Sequence, residues 1–367
     1  MAFYKSDGIR IAGIACSVPD NFITVESFKS IFGDQVPEKF SAGTGIKSIY
    51  KALPEQTASD LAVAAAENLF SHSNVTKEEI GLMILVTQSP DYRRPSSASI
   101  VQKGLGLPID CSCMEINLGC SGFIYGLQTA MSLLRDSEEK YALLVMGETA
   151  SKLVDPNDKS IVMMYGDAGA AILLKKEEGL ITKTLLRSDG NRYKAIVLPG
   201  GGFRDMYPPR DRFLCADHNE RSLYDIYMDG TAVFSFSITD VPQTLMDYFN
   251  KTNSSVDDYD LFVFHQANEF IIKQLIRKLK IKKNKVPISL NKYGNTGGIS
   301  IPLTLCNEFG NHSERKQLKT LMSGFGIGLS WGVTCCDIDT DVIYPISETD
   351  YYYKEGKITR EMLEKKG

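Results

Sequence analysis

Three side chains stand where the surrounding pattern could give them chemistry. Cys120 lies in Leu118-Gly119-Cys120-Ser121-Gly122. Before it, Met114, Ile116 and Leu118 alternate as one face of a strand; after it, Phe123, Leu127, Ala130, Met131 and Leu134 recur at helical spacing. A cysteine at such a strand-to-helix turn sits at a helix N-terminus, where unpaired N–H groups and the dipole favour the thiolate. The flanking glycines permit a sharp turn and close approach of a substrate. The chemistry expected is nucleophilic, with Cys120 the most acidic thiol of the chain; the bland alternative is a buried, inert cysteine.

His265 closes the apolar run Leu261–Phe264 and opens His-Gln-Ala-Asn. It is either structural or a proton-transfer or hydrogen-bonding group. Asn295, in Tyr-Gly-Asn-Thr-Gly-Gly, is either a left-handed turn asparagine or a side-chain donor. The glycine-alternating stretch Gly324–Gly332 lets backbone N–H groups approach a ligand, as an oxyanion hole requires. Its alternative is a bulged strand with close packing. It lacks the helix and acidic ribose ligand of a dinucleotide fingerprint. Cys111 and Cys113 form a C-x-C pair without a second ligand pair, so no metal site is expected.

The elements that must position these residues alternate between strand and helix, which predicts an α/β fold. Expected strands are residues 9–15, 82–87, 114–118, 142–146, 170–174, 261–264, 287–290 and 329–334. Expected helices are residues 59–70, 96–104, 121–134, 270–279 and 299–309. A weak repeat runs through the chain. GLMILVTQ at 81–88 matches YDLFVFHQ at 259–266, MEINLGCSGFIYGL at 114–127 matches ISLNKYGNTGGISIPLTL at 288–305, and YALLVMGE matches TLMSGFGI, in the same order. This predicts two duplicated halves, 1–175 carrying the cysteine and 176–338 carrying His265 and Asn295. A C-terminal tail, 339–367, lies outside the repeat and is expected to be packed or frayed. The turn-rich stretch 191–230 reads as a surface excursion or a lid.

Composition narrows the class. The 367 residues are 43% hydrophobic and 23% charged, with a net charge of −4. That is an ordinary globular balance with no basic excess, so neither disorder nor a nucleic-acid partner is expected. No apolar run reaches the roughly 20 residues of a membrane span, and no signal peptide is read. Eight scattered cysteines fit a reduced, cytoplasmic protein rather than a disulfide framework.

Taken together, TGI at 44–46, GCSGFIYGL at 119–127, YGDAGAAILL at 165–174, MDG at 228–230, HQAN at 265–268, GNTGGISIPL at 294–303 and GFGIGLSWG at 324–332 resemble the β-ketoacyl-acyl-carrier-protein synthase III family of the thiolase superfamily. The resemblance spans about 330 residues and leaves out only the tail. It implies a five-layered αβαβα fold of two halves, usually as a homodimer. It makes Cys120 the nucleophile, with His265 and Asn295 completing a triad that stabilises an enolate. The N–H groups of Cys120 and Ile327 become the oxyanion hole, Ile327 standing where the family often has glycine. It implies no bound cofactor. The substrates are thioesters on acyl carrier protein or coenzyme A, and acyl carrier protein is the partner.

Departures accompany it. The family's nucleotide-clamping Trp and Arg align with Lys39 and Gly43, and the single tryptophan is Trp331. That favours a carrier-bound acyl donor over a coenzyme A-bound one. Arg94 stands where the family often has a phenylalanine that gates the partner's acyl pocket; Phe325 is the other expected gate residue. Lys273, Arg277 and Lys280 share one helical face in a stretch of seven cations and no acid, the expected carrier-docking surface, although the family's usual arginine aligns with Phe270. The expected activity is a decarboxylative Claisen condensation with malonyl carrier protein, in fatty-acid or specialised acyl or polyketide biosynthesis. The alternatives are acyl transfer from Cys120 to an alcohol or amine without condensation, and a non-enzymatic partner subunit.

Overall fold

The computed structural model describes residues 2–312 and 314–364. Two long strands organise it. Ala2–Pro19 pairs antiparallel with Ala168–Ser188 along almost its whole length. One end of this ribbon builds a first sheet. There, residues 168–175 pair antiparallel with Tyr141–Glu148, which pairs parallel with Ile80–Val86, which pairs parallel with Ser112–Ile116. The other end builds a second. Residues 183–188 pair antiparallel with Ser330–Asp339, which pairs antiparallel with Gln317–Gly326, which pairs parallel with Leu261–Phe264. Counted from 2–19 in the first sheet and from 183–188 in the second, the pairing runs antiparallel, antiparallel, parallel in both, so 81–86 and 261–264 take equivalent places, as do 141–148 and 317–326. Position 175 falls inside the shared strand, so a single element serves both sheets.

Helices fill the layers between and outside the sheets. Gly122–Arg135 and Ser300–Phe309 lie between the sheets. Ala58–His72 and Ser97–Leu105 cover the outer face of the first; Gly230–Thr252 and Glu269–Leu279 cover the outer face of the second. This is the five-layered α/β arrangement of the thiolase fold. Side chains obey the period of two. Leu82, Ile84 and Val86 enter the central core with Leu261 and Val263, while Met83 and Leu85 join one outer core and Phe262 and Phe264 the other. Strands buried on both faces must be apolar at consecutive positions, hence the unbroken runs seen in the sequence.

Residues 287–290 are not a strand. Pro287 has no N–H for a ladder, and the Ser289 N–H donates instead to Gln266 Oε1 at 3.2 Å, after which Leu290–Tyr293 turns as a short helix. Among the described residues, two helices of ten or more residues escaped the sequence pattern, Gln35–Thr44 and the 23-residue Gly230–Thr252. The excursion 191–230 forms two small ribbons and returns Ile196, Leu198, Ile226 and Met228 to the cavities described below. The tail packs: Ser347–Thr349 pairs parallel with Ala2–Pro19, Gln56 Nε2 donates to the Thr349 and Tyr351 carbonyls, and the Tyr353 N–H donates to Asp60. Residues 365–367 lie outside the described part. Among the described residues no helix is long and apolar enough to cross a membrane.

Candidate active site

Cys120 lies in the turn that delivers the chain into Gly122–Arg135. Its thiol faces its own N–H and that of Ile327, which comes from the turn joining the last two long strands. Ser121 Oγ and Ser330 Oγ are 2.7 Å apart, and Ser330 Oγ donates to the Ile327 carbonyl at 2.9 Å. The two turns are thus fixed to each other, and both N–H groups are preorganised before any charge develops. Gly326 makes this approach possible, because a Cβ there would sit 2.7 Å from the sulfur.

Burial pushes the Cys120 thiol up to about 11; the Ile327 N–H pulls it down and the Glu148 carboxylate adds to the rise. The most acidic thiol is therefore not Cys120, as the helix terminus suggested. Loss of water outweighs the two N–H groups. Cys113 is the thiol held below its ordinary value, by a hydrogen bond with Cys111, the sulfurs lying 3.8 Å apart.

His265 follows Leu261–Phe264, its N–H held by the Ser323 carbonyl at 2.9 Å. Its Nδ1 is 2.8 Å from Ser300 Oγ, and the Phe325 ring meets it edge-on at 5.5 Å. Burial lowers its pKa to about 4, against the backbone of Gly297, so the imidazole is neutral at pH 7. The Asn295 backbone N–H donates to the Met164 carbonyl at 2.9 Å. Its Oδ1 accepts the Gly297 N–H at 3.0 Å, which leaves Nδ2 as the outward donor. Asn295 is not left-handed; the positive φ angles fall on Gly294 and Gly297.

Two cavities meet at Cys120. One, of about 240 Å³, contains His265, Asn295 and Phe325 and runs past Phe234 and Asn268. The other, of about 300 Å³, is lined by Gln88, Asn117, Glu148, Ile327 and aliphatic residues of the excursion; Tyr165 lines both. A larger cavity of about 380 Å³ under the C-terminal segment holds neither thiol nor imidazole, so size does not mark the site here. Among the described residues no group of three or more His, Cys, Asp or Glu is placed to hold a metal ion.

Other expected positions lie apart. Arg94 is exposed, stacks over the Phe203 ring at 6.0 Å, and lines neither cavity of its own chain. Lys273, Arg277 and Lys280 are exposed together on Glu269–Leu279 and its C-cap, with Lys273 paired to Glu269 at 2.9 Å. Lys39 and Gly43 are exposed on Gln35–Thr44, whereas Phe40 packs against the outer core. Ser300, Glu148, Gln88 and Tyr165 were not singled out. All four sit inside segments quoted above, Gln88 and Glu148 at the ends of two repeat segments, but only the fold shows what they face.

A family model described as 3-Oxoacyl-[acyl-carrier-protein (ACP)] synthase III matches residues 114–190, which include Cys120. A second, for the C terminal part of the same enzymes, matches 249–338, which include His265, Asn295 and Ile327. A beta-ketoacyl-[acyl-carrier-protein] synthase III of Clostridium perfringens strain SM101 is 34% identical over 328 residues, 89% of this chain and 98% of that protein. The chain belongs to the 3-oxoacyl-acyl-carrier-protein synthase III family. The Lactococcus lactis relative of the same name is 31% identical over 333 residues, 90% of this chain and 99% of that protein. The crystal structure of a 3-oxoacyl-(acyl-carrier protein) synthase from Burkholderia xenovorans LB400 superposes with a TM-score of 0.89 at 31% identity, covering 95% of this chain and 99% of that one. This family member is accordingly an acyltransferase of the condensing kind.

Proposed function

We propose that Cys120 accepts an acyl group and that His265 and Asn295 then promote a decarboxylative condensation with malonyl carrier protein. The observation that carries this reading is the convergence of Cys120, His265 and Asn295 on one cavity, with the Ile327 N–H at the sulfur. In the first step the thiol attacks the thioester carbonyl. The oxyanion is held by the N–H groups of Cys120 and Ile327, and the pantetheine thiol departs with the proton that Cys120 gives up. In the second, the bond between the malonyl methylene and its carboxylate breaks and carbon dioxide leaves. The electron pair moves to the thioester oxygen, where His265 Nε2–H and Asn295 Nδ2–H donate to it. The enolate carbon attacks the acyl-Cys120 carbonyl. The tetrahedral intermediate collapses to the 3-oxoacyl thioester, and the cysteine thiolate regains a proton from solvent.

The acyl donor in this reading is carrier-bound. Exposed Lys39 and Gly43 offer neither ring nor guanidinium to a nucleotide, and Phe40 is occupied in the core. The carrier docks on the face of Lys273, Arg277 and Lys280, the chain acts as a homodimer, and a reduced cytoplasm suits its eight free thiols. The test is intact-protein mass spectrometry after incubation with acyl thioesters. An adduct that maps to Cys120 and disappears in Cys120→Ala is expected; an adduct that survives that substitution contradicts the assignment.

A further inference from the structure

Of the two cavities that meet at Cys120, only one holds His265 and Asn295. The enolate carbon must approach the acyl carbonyl from that side. The acyl group on Cys120 therefore extends into the other cavity, of about 300 Å³. Most of that wall is aliphatic: Leu153, Ile196, Leu198, Ile226 and Ile327. The part nearest the sulfur is not.

Glu148 is 6% exposed. Its carboxylate accepts from the Gln88 N–H at 2.7 Å and from Ser89 Oγ at 2.9 Å, which leaves further acceptor capacity on both oxygens. It acts electrostatically on Cys120, so it lies close to the thiol. Tyr165 is 8% exposed and lines both cavities beside Cys120. Its hydroxyl hydrogen-bonds no group among the described residues. Gln88 donates through Nε2 to Asn117 at 3.2 Å, and its Oε1 lies against Gly119, next to the nucleophile. A plain alkyl chain would seal these groups from water and leave the tyrosine hydroxyl unpaired, which is unfavourable for a buried polar atom.

We infer that the acyl group received by Cys120 bears a hydroxyl close to its thioester carbonyl, held between Tyr165 and Glu148, with its aliphatic remainder against Ile196, Ile226 and Ile327. A hydroxyl fits either state of Glu148, because it donates to a carboxylate and accepts from a carboxylic acid. An acyl group ending in a carboxylate at that point would meet the ionised Glu148 as a like charge. This inference rests on the reading of Cys120 as the acyl acceptor and specifies what it accepts.

The test compares butyryl, 2-hydroxybutyryl and 3-hydroxybutyryl thioesters of pantetheine, using the full chain and the initial rate of the Cys120 adduct by intact mass. One hydroxyacyl thioester is expected to react about ten times faster than butyryl, the scale of one well-placed hydrogen bond. Tyr165→Phe should bring that ratio to about one. Glu148→Ala should do the same, and Tyr165→Phe decides the matter if Glu148→Ala fails to fold. Equal rates for the three thioesters, or a ratio that Tyr165→Phe leaves intact, overturn the inference while leaving the acyl-acceptor reading standing. No adduct from any of the three overturns both.

Discussion

Ser300 Oγ lies 2.8 Å from His265 Nδ1 while it accepts the Gln266 N–H at 3.1 Å. Having accepted that bond, the hydroxyl has its own proton free for Nδ1. When that proton goes to Nδ1, the imidazole carries its own on Nε2, the nitrogen that must donate to an enolate. Ser300 acts through His265 and touches no substrate. Ser300→Ala should lower condensation kcat about 10–100-fold, the scale seen when the orienting partner of a metal-bound histidine is lost. The KM for malonyl thioester and the acylation of Cys120 should change much less. The nitrogen-15 shifts of His265 should show the Nδ1–H tautomer appearing. Unchanged shifts and unchanged kcat would show that Ser300 only fills space.

The two donors should divide from the nucleophile in function. His265→Ala and Asn295→Ala should still form acyl-Cys120, because the oxyanion donors belong to Cys120 and Ile327. Each should lose about 10²–10³ in malonyl decarboxylation, the usual cost of one such donor. Stopped-flow acylation together with carbon dioxide release separates the steps. Wild-type decarboxylation in both variants would remove them from the mechanism.

The thiol of Cys120, pushed up to about 11 by burial, is mostly protonated at neutral pH. Its alkylation in the absence of substrate should therefore rise about tenfold per pH unit from pH 7 to pH 10, in step with the thiolate fraction. Cys113, held below its ordinary value, should label first at pH 7. Peptide mapping of iodoacetamide adducts across this range checks both. A Cys120 rate that levels off by pH 8 would mean that the N–H groups and the helix terminus outweigh burial after all.

Arg277 and Lys280 are exposed and unpaired by any carboxylate among the described residues, whereas Lys273 is neutralised by Glu269. Arg277→Glu combined with Lys280→Glu should slow acylation from an acidic carrier protein and flatten its dependence on salt, as expected when a steering charge is removed. Lys273→Glu should do less. Rates with pantetheine thioesters should stay constant in both variants. If carrier-dependent rates also stay constant, the helix face is solvated surface.

Local pattern revealed the site's anchors because each is fixed by its neighbours in the chain. Cys120, His265 and Asn295 all sit where an apolar run or a glycine turn gives way to a helix. The unbroken apolar runs at 82–86 and 261–264 were likewise legible as strands, although only the fold shows that both their faces are covered. What stayed hidden depends on distance in sequence. Ser300 meets His265 from 35 residues away, and Ser121 meets Ser330 from 209. The acidity of Cys120 was misjudged because the dipole is local while desolvation comes from residues across the cavity. Helix Gly230–Thr252 was obscured by Pro242 and a run of Thr and Ser, residues of poor helix propensity that tertiary packing overrides.

The most direct test of the central claim follows carbon dioxide. Enzyme first acylated on Cys120 and freed of excess donor is mixed with carboxyl-radiolabelled malonyl carrier protein. The account predicts one carbon dioxide released for each acyl-Cys120 consumed, with the acyl group recovered in a 3-oxoacyl carrier protein. Loss of the acyl group to an alcohol, amine or water without release of label would contradict it.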